Sequence, residues 1–421
     1  MNKWNFDTKI TMLPNGLQVI TIKKDTQISS INLGIKIGAL YESYRESGIC
    51  HFIEHMLFKG TANRSNEELN DELENLGGEY NAYTDYTATV YSITCLEEEM
   101  GRAAELLSDM VINPTFEEEE LEKERGVILA EIKTSKDDIE DLSFKRINEI
   151  AFEKAALKYE ISGSEDSVIS FKKEDLTEFY RKFYTPDNAI ITLVTSLEHE
   201  DALAIIERYF SSWNGKKKQK KTCILEKNKK CTKVTYKRDI EQSTIMYLFT
   251  FHGINKEQEL PLKILNHKLG ESANSILFRE LRENRGLVYD VYTHMDMSTN
   301  IKTLYIFTSV SEENVDEVID VIDECIEKIK RQEIIFDDGI LSLMKKVHKT
   351  AVISTLEDSS DLGSYVLHQS LEDEDIKEFI TDMRRLDVIN SDDIYEVARK
   401  VLKSPTIHIL KPEREEEDED E

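Results

Sequence analysis

The sequence has few of the residues that interrupt or cross-link a chain. Its 421 residues include 6 prolines, 16 glycines and 5 cysteines, and 40% are hydrophobic, which is typical of a globular protein without a large disordered part. The cysteine number is odd, and no two cysteines form a Cys-x-x-Cys pair. Both features argue against a disulfide framework and against a thiolate zinc site. The cysteines are Cys50, Cys95, Cys223, Cys231 and Cys325.

Long apolar runs and basic charge are also lacking. No stretch approaches the roughly 18 apolar residues that a membrane-spanning helix needs, and the N-terminus MNKWNFDTKITM has no apolar signal-peptide core. We therefore expect a cytoplasmic protein with reduced thiols and no membrane partner. The net charge of -29, from 83 acids and 54 bases, disfavours binding to nucleic acid. This charge either attracts cationic partners such as basic peptides or serves solubility alone.

Length and composition indicate two domains. A chain of 421 residues exceeds one ordinary hydrophobic core. The composition changes at NGKKKQKK, residues 214–221, where repelling like charges favour a solvated linker. We predict an N-terminal domain over 1–213, a basic linker over 214–230 and a second domain over 231–412. The last nine residues, 413–421, read EREEEDEDE and are predicted to form an acidic disordered tail.

The two halves resemble weak copies of each other. Three strand residues recur after 303 − 89 = 214 positions, so that Thr89, Tyr91 and Thr94 correspond to Thr303, Tyr305 and Thr308. Either the domain is duplicated or two strand–helix units are similar by chance. Each half combines β-rich runs with long acidic amphipathic helices. This pattern predicts an α+β fold of two homologous domains, each with a mainly antiparallel sheet that helices cover on one face.

The stretch GICHFIEHMLFKGT, residues 48–61, carries two histidines four positions apart. In a helix this spacing places His51 and His55 on one face, and Glu54 lies beside them. The segment has helical apolar spacing and a terminating glycine, Gly60. Taken alone, it is either a zinc site or an amphipathic helix that carries two histidines and an acid. Zinc would give a reason for burying three polar side chains together.

A catalytic zinc site needs a third protein ligand. The candidate segment is EEEELEKERGVILAEIKTSKDD, residues 117–138. Within it Glu124 and Glu131 lie seven residues apart, and so share a helix face. Glu131 is surrounded in sequence by Val127, Ile128 and Ile132, a poor environment for an unpaired carboxylate.

HFIEHMLFKGT, with Glu131 following His55 by 131 − 55 = 76 residues, resembles the pitrilysin-type (inverzincin, HxxEH) zinc metallopeptidases. The similarity is to the small bacterial homologues of the mitochondrial processing peptidase. The resemblance implies that His51, His55 and Glu131 bind one Zn²⁺ per chain. It further implies that Glu54 is the general base that activates the attacking water, and that Glu124 supports the site without binding the metal itself.

Two further stretches match the same family. GGEYNAYTDYT contains its Asn-Ala-Tyr strand at Asn81, Ala82 and Tyr83, an edge that pairs with the substrate backbone. LFRELRENRGLVYDV contains Arg282 and Tyr289, which in the family reach from the second half to hold the substrate near the metal. Tyr289 would donate to the oxyanion. Arg282 either binds substrate carbonyls or a terminal carboxylate, or pairs with an acid.

The sequence departs from the family at LGESANSIL, where a glycine-rich stretch is common and only Gly270 is present. In the second half, LNHKL lies 214 positions after HFIEH and retains a single histidine, His267. We therefore expect the second half to bind no metal. Cys50 is expected to be a small buried apolar residue. Six isolated histidines are expected to be surface or core residues: His199, His252, His294, His348, His368 and His408.

The resulting hypothesis is a zinc-dependent endopeptidase that hydrolyses peptides or unfolded segments inside a closed chamber. By resemblance, one chain would form half of this clamshell and a homodimer would complete it. The acidic charge suggests basic peptide substrates. The alternative is a non-catalytic or partner-dependent peptide-binding subunit of the same fold. The presence of all three ligands and of the base weighs against a non-catalytic subunit.

Overall fold

The structure is a computed structural model that describes residues 6–215 and 222–413. The basic segment 216–221 of the predicted linker and the tail residues 414–421 lie outside the described residues. The described strands are β1 Asp7–Met12, β2 Gln18–Lys23, β3 Ile28–Ile35, β4 Glu79–Thr84, β5 Thr89–Leu96, β6 Ala189–Thr195, β7 Cys231–Lys237, β8 Ser243–Thr250, β9 Val288–Asp296, β10 Thr303–Val310 and β11 Thr406–Pro412.

The α-helical segments are α1 Ile49–Met56, α2 Asn66–Glu74, α3 Met100–Ile112, α4 Glu118–Asp137, α5 Ile139–Ala151, α6 Glu165–Ser170, α7 Lys173–Phe183, α8 His199–Phe210, α9 Lys256–Asn266, α10 Ile276–Phe278, α11 Val315–Lys330, α12 Asp338–Glu357, α13 Ser359–Leu371, α14 Glu378–Arg385 and α15 Ser391–Val401. No helix in the described parts of the chain is long and apolar enough to cross a membrane.

The strands form two mainly antiparallel sheets that share a five-stranded topology, to which β1 adds a sixth strand in the first sheet. The six-stranded sheet has the order β1-β2-β6-β3-β5-β4, and the five-stranded sheet has the order β7-β11-β8-β10-β9. In each sheet one pair is parallel, β2 with β6 and β7 with β11, and the remaining pairs are antiparallel. Thr89 and Thr303 begin the equivalent strands β5 and β10. The predicted α+β fold is confirmed, and the shared topology favours duplication over chance similarity.

The six-stranded sheet is covered on both faces. All seven residues of β6 (AIITLVT) are buried, which is typical of a strand with helices on either side. One face packs against a core that includes α1, α3 and α8. On the other face, Leu362, Val366 and Leu367 of α13 pack against the sheet. The expectation that helices cover one face is therefore wrong for this sheet, because β6 presents apolar side chains in both directions.

The chain divides into two compact units that take segments from both halves of the sequence. The first unit comprises the residues up to Lys133, Tyr159–Cys223 and Lys349–Thr381. The second comprises Thr134–Lys158, Ile224–His348 and the residues from Asp382 onward. Helix α13 thus packs on β3 and β6 of the first unit, and α5 packs on β8 and β11 of the second. The boundaries 1–213 and 231–412 stay a prediction about the duplicated halves.

Candidate metal centre

The start of helix α1 is fixed by a close backbone contact. Gly48 precedes α1 with φ of 90°, and a Cβ atom there would lie 2.6 Å from the carbonyl oxygen of Ser162 and 2.8 Å from Cα of Gly163. Only glycine tolerates both the left-handed conformation and this approach. The Glu42 carboxylate accepts hydrogen bonds from the backbone N–H groups of Gly48 (2.7 Å) and Cys50 (2.9 Å). It therefore caps the helix, and its negative charge suits the N-terminus.

Helix α1 separates apolar from polar side chains, as its spacing predicts. Its buried residues are Ile49, Cys50, Phe52, Ile53 and Met56. His51, Glu54 and His55 are only partly buried, and the side chains of both histidines are 18% exposed. Cys50 is fully buried in the apolar core, as expected. The apolar side thus anchors the helix, while the polar side can act at a site.

Helix α4 brings the predicted third ligand to these histidines. One carboxylate oxygen of Glu131 lies 3.9 Å from Nε2 of His51 and 3.7 Å from Nε2 of His55. One ligand atom from each of the three residues lies within 4.8 Å of the others. Tetrahedral zinc with bonds of about 2.0–2.1 Å places ligand atoms roughly 3.3 Å apart. Small side-chain movements would therefore close this cluster around one ion.

Glu131 is more exposed than its apolar neighbours in sequence suggested. Its side chain is 47% exposed, and Val127 on the same helix is 43% exposed. The buried face of α4 carries Leu121, Glu124 and Ile128 instead. The expectation of a buried environment for Glu131 is wrong, because the carboxylate lies at the border between the buried and the solvent-facing side of α4.

Glu124 is the buried carboxylate, and it connects His55 to Lys59. Its Oε2 accepts from Nδ1 of His55 at 3.0 Å, and its Oε1 accepts from Nζ of Lys59 at 2.8 Å. The side chain of Glu124 is 8% exposed. Burial raises its pKa, but the hydrogen bonds from His55 and Lys59 outweigh burial and hold the pKa below its usual value. A proton held on Nδ1 leaves Nε2 of His55 available to a metal, as in many metal-ligating histidines.

The two histidines differ in their electrostatic surroundings. Burial, together with the neighbouring His55, lowers the pKa of His51 to about 4, so that His51 is neutral at pH 7. Burial also lowers the pKa of His55, but the hydrogen bond to Glu124 and the charges of Glu131 and Glu54 raise it overall. Nδ1 of His51 is buried and has no hydrogen-bond partner among the described residues. Neutral imidazole is the form that binds zinc.

Glu54 is held by Thr84, the last residue of β4. The Thr84 hydroxyl donates a hydrogen bond of 2.6 Å to Oε2 of Glu54. The pKa of Glu54 is raised overall, mainly because the side chain is buried. The hydrogen bond from Thr84 and the neighbouring His55 lower this pKa, and the charge of Glu131 raises it. A partly buried carboxylate with a raised pKa, beside a set of metal-type ligands, is suited to proton transfer.

The predicted Asn-Ala-Tyr strand is the edge strand β4. It pairs with β5 on one side and ends the order of the six-stranded sheet. Tyr80 and Ala82 are partly buried against the core, whereas Asn81 and Tyr83 are exposed. Such an edge offers backbone groups to an extended peptide. The binding role of Asn81, Ala82 and Tyr83 stays a prediction.

Two family profiles match the chain in succession. "Insulinase (Peptidase family M16)" matches residues 18–165, which include the whole cluster, and "Peptidase M16 inactive domain" matches residues 170–346. An "uncharacterized zinc protease" of Rickettsia felis is 31% identical over 418 residues, or 96% of this chain and 97% of that protein. "Uncharacterized zinc protease YmxG" of Bacillus subtilis is 30% identical over 331 residues, 78% of each chain. The chain belongs to peptidase family M16. The resemblance to the HxxEH zinc peptidases is confirmed.

The M16 fold is also found in a solved structure of a protease from Helicobacter pylori. The TM-score is 0.88 at 22% sequence identity, and the match covers 97% of this chain and 100% of that one. At this identity the comparison concerns the fold alone.

Arg282 and Tyr289 lie in the second compact unit, whereas His51, His55 and Glu131 lie in the first. The Arg282 guanidinium carbon is 4.9 Å from the ring centres of both Phe278 and Tyr289. Tyr289 is 76% exposed. The two residues that the sequence paired are therefore in contact. Their roles in substrate binding stay a prediction.

The described residues of the second half contain no comparable cluster. The connection from β8 to β9 corresponds to the one from β3 to β4 that contains α1, and here His267 lies 3.4 Å from Glu271. Across the described residues, His51, His55 and Glu131 form the single group of three or more His, Cys, Asp or Glu ligands close enough to hold one ion. The six isolated histidines take no part in such a group.

Three residues that contact or support the metal-type cluster were not predicted from the sequence: Glu42, Lys59 and Thr84. Lys59 follows His55 by four positions, beyond the end of α1 at Met56, and its closeness in sequence to that histidine is the one signal for its place near Glu124. Thr84 follows Ala82 by two positions, and strand alternation places both on the face towards α1. No local pattern identifies Glu42, because its contact depends on how the chain folds back before α1.

Proposed function

We propose that this chain is a zinc-dependent endopeptidase that hydrolyses peptides or unfolded segments. The observation that carries the proposal is the convergence of His51, His55 and Glu131, with Glu54 on the same helix face. Two imidazoles and one carboxylate are a ligand set of catalytic zinc, which keeps its fourth position for water or substrate. The names of the two relatives support zinc and proteolysis.

The chain's own groups fit the metal. His51 is neutral, His55 presents Nε2 because Nδ1 is engaged by Glu124, and Glu131 supplies an oxygen. A zinc ion held by these residues would supply Lewis acidity, polarising the scissile carbonyl and lowering the pKa of water. One ion per chain is expected, because the second half of the chain supplies no comparable ligand set among its described residues.

Glu54 would move the proton. Its Oε2 accepts from Thr84, and Oε1 accepts no hydrogen bond from the described residues, so Oε1 is the oxygen that would take the proton from water. The raised pKa favours the protonated carboxyl, which would then donate its proton to the leaving amine. In the same proposal, Tyr289 donates to the developing oxyanion and Arg282 orients the substrate.

The edge of β4 would hold the substrate as an added strand, through the backbone of Asn81, Ala82 and Tyr83. The net charge of -29 favours basic peptides.

We also propose a homodimer that encloses a reaction chamber. The molar mass in solution tests this point, since a mass of one chain would contradict it.

The test is metal-dependent cleavage of a quenched peptide library. The purified chain is expected to bind one zinc, to lose cleavage with a chelator and to regain it with added zinc. Glu131→Gln is expected to bind zinc at least tenfold more weakly, since it loses a charged ligand. Glu122→Gln, on the exposed side of α4, is the matched control and should behave like wild type. Cleavage by the metal-free protein would contradict the proposal. Zinc binding without any cleavage would favour the alternative function, a peptide-binding subunit that needs a partner for activity.

A further inference from the structure

Thr84 connects the edge strand β4 to the base Glu54. We propose that Thr84 is a positioning residue that fixes the Glu54 carboxylate for proton transfer, an inference that rests on the proposed function. The contact is the 2.6 Å hydrogen bond from the Thr84 hydroxyl to Oε2 of Glu54. Because the acceptor is a carboxylate, this hydrogen bond is stronger than a neutral one.

The backbone at Thr84 is held rigidly. Thr84 pairs with Thr89 of β5, and the buried Thr89 hydroxyl donates to the carbonyl of Ile37. In the next turn the Asp85 carboxylate accepts from the backbone N–H groups of Thr87 and Ala88. The Asp85 carbonyl also accepts from the backbone of Ala39 at 3.0 Å. Thr84 can therefore act as a fixed hydrogen-bond donor.

Glu54 needs such a donor because its surroundings do not hold it otherwise. Its side chain has three rotatable bonds, and burial, with a smaller effect of the Glu131 charge, disfavours its ionised form. Among the described residues, Thr84 makes the one hydrogen bond to the Glu54 carboxylate. The bond engages Oε2 and leaves Oε1 for the reaction. Loss of the hydroxyl would free the carboxylate to rotate, and misplacement of a catalytic group by about 1 Å can cost up to about 100-fold in rate.

The position of Thr84 on β4 also aligns the base with the substrate. Strand alternation turns Thr84 and Ala82 towards α1, whereas Asn81 and Tyr83 point to the other face. A peptide added along the free edge of β4 would contact the same strand whose last residue holds Glu54. One rigid strand would thus set both the substrate and the base, and Thr84 would affect turnover rather than substrate affinity.

The experiment compares Thr84→Val, Thr84→Ser and the control Thr87→Val in the zinc-loaded chain. The Thr87 hydroxyl donates to the Asp85 carboxylate in the same hairpin, so the control loses a similar bond without touching Glu54. We expect Thr84→Val to lower kcat about tenfold or more and to leave KM within about twofold. Thr84→Ser is expected to recover kcat to within about threefold of wild type, because the hydroxyl is restored. Zinc affinity should be unchanged in all three variants.

A crystal structure of Thr84→Val separates this inference from the proposed function, because it reports the carboxylate directly. We expect Glu54 to be displaced or to occupy several rotamers, and to be ordered as in wild type in Thr87→Val. An unchanged Glu54, an unchanged kcat in Thr84→Val, or an equal loss in Thr87→Val would overturn the role of Thr84. Absence of cleavage by the wild type would contradict the proposed function alone, and the position of Glu54 would still decide the role of Thr84.

Discussion

Among single residues, Glu124 has the strongest structural reason for its identity. A carboxylate that is 8% exposed is costly unless it is paired, and Glu124 has one partner for each oxygen, His55 and Lys59. The same contact determines which nitrogen of His55 faces the metal. Stability and ligand orientation therefore depend on one side chain.

Glu124→Gln is expected to weaken zinc binding by about 10–100-fold, the usual effect of removing a residue that orients a ligating histidine. The amide keeps the size of the side chain but loses the charge that pairs with Lys59 and one hydrogen-bond acceptor. Competition with a chelator of known affinity measures the change. Glu122→Gln, on the exposed side of the same helix, is the control. Equal zinc affinity in both variants would contradict the role of Glu124.

His408 gives a prediction for stability in acid. It lies in β11 with no solvent exposure, and burial, with a smaller effect of Arg146, lowers its pKa from 6.5 to about 4. Between these pH values the unfolded chain binds a proton at His408 that the folded chain does not. Stability therefore rises with pH across this range, is fully present above about pH 6.5, and is lost as the pH falls towards about 4.

His408→Gln is expected to reduce this acid-induced loss by on the order of 2 kcal/mol between pH 7 and about pH 4.5. Urea unfolding of the zinc-free chain at the two pH values measures the difference. The exposed His368 supplies the control His368→Gln, which should leave the loss as it is in wild type. An equal loss in wild type and in His408→Gln would show that His408 does not titrate as predicted.

Among the helices and strands, the position of α1 is set by a backbone contact at its first turn. The close approach of Gly48 to Ser162 and Gly163 sets the position of the helix, and with it the positions of His51 and His55. The apolar spacing of HFIEHM predicts the helix itself, and the structure confirms it over Ile49–Met56. The sequence alone does not reveal the contact that fixes the first turn.

Gly48→Ala is expected to destabilise the fold by at least about 1 kcal/mol more than Gly77→Ala. Both glycines have positive φ, 90° and 63°, so both substitutions strain the backbone. A Cβ at Gly48 meets backbone atoms below 3 Å, whereas one at Gly77 meets nothing within 4 Å. Thermal unfolding compares the variants, and equal losses of stability would contradict the importance of the contact.

Periodicity in the sequence predicts the strands β2, β3, β5, β8 and β10 and the helices α1, α3, α4, α8 and α11. The exposure of Glu131 was not predictable, because periodicity does not tell whether a residue at the border of the buried face of α4 is itself buried. The contact between Thr84 and Glu54 was not predictable either, since a threonine at the end of a strand carries no distinctive signal.

At the scale of the whole molecule, the duplication was visible in sequence but the exchange of helices was not. Thr89 and Thr303 mark equivalent strands, and a repeat of this kind needs only local similarity. Helices α5 and α13 pack on the sheet formed mainly by the other half of the sequence. An amphipathic pattern tells which face of a helix is buried, but it does not tell which sheet buries it.

Net charge also acts at this scale. If the charge of -29 attracts basic peptides, KM for a basic peptide should rise several-fold from low to high ionic strength, while KM for a neutral peptide of equal length should stay constant. Steady-state kinetics of the two peptides over a salt series measure the effect. Equal salt dependence for both would indicate that the acidic surface serves solubility alone.

The central claim is that Glu54 moves the proton during peptide hydrolysis at a zinc centre formed by His51, His55 and Glu131. The most direct measurement is the cleavage rate of a quenched peptide library by the zinc-loaded Glu54→Gln variant and by the zinc-loaded wild type. The amide cannot accept a proton, so we expect one zinc per chain in both proteins and a cleavage rate at least about 100-fold lower in the variant. Cleavage by Glu54→Gln at the wild-type rate would contradict the claim.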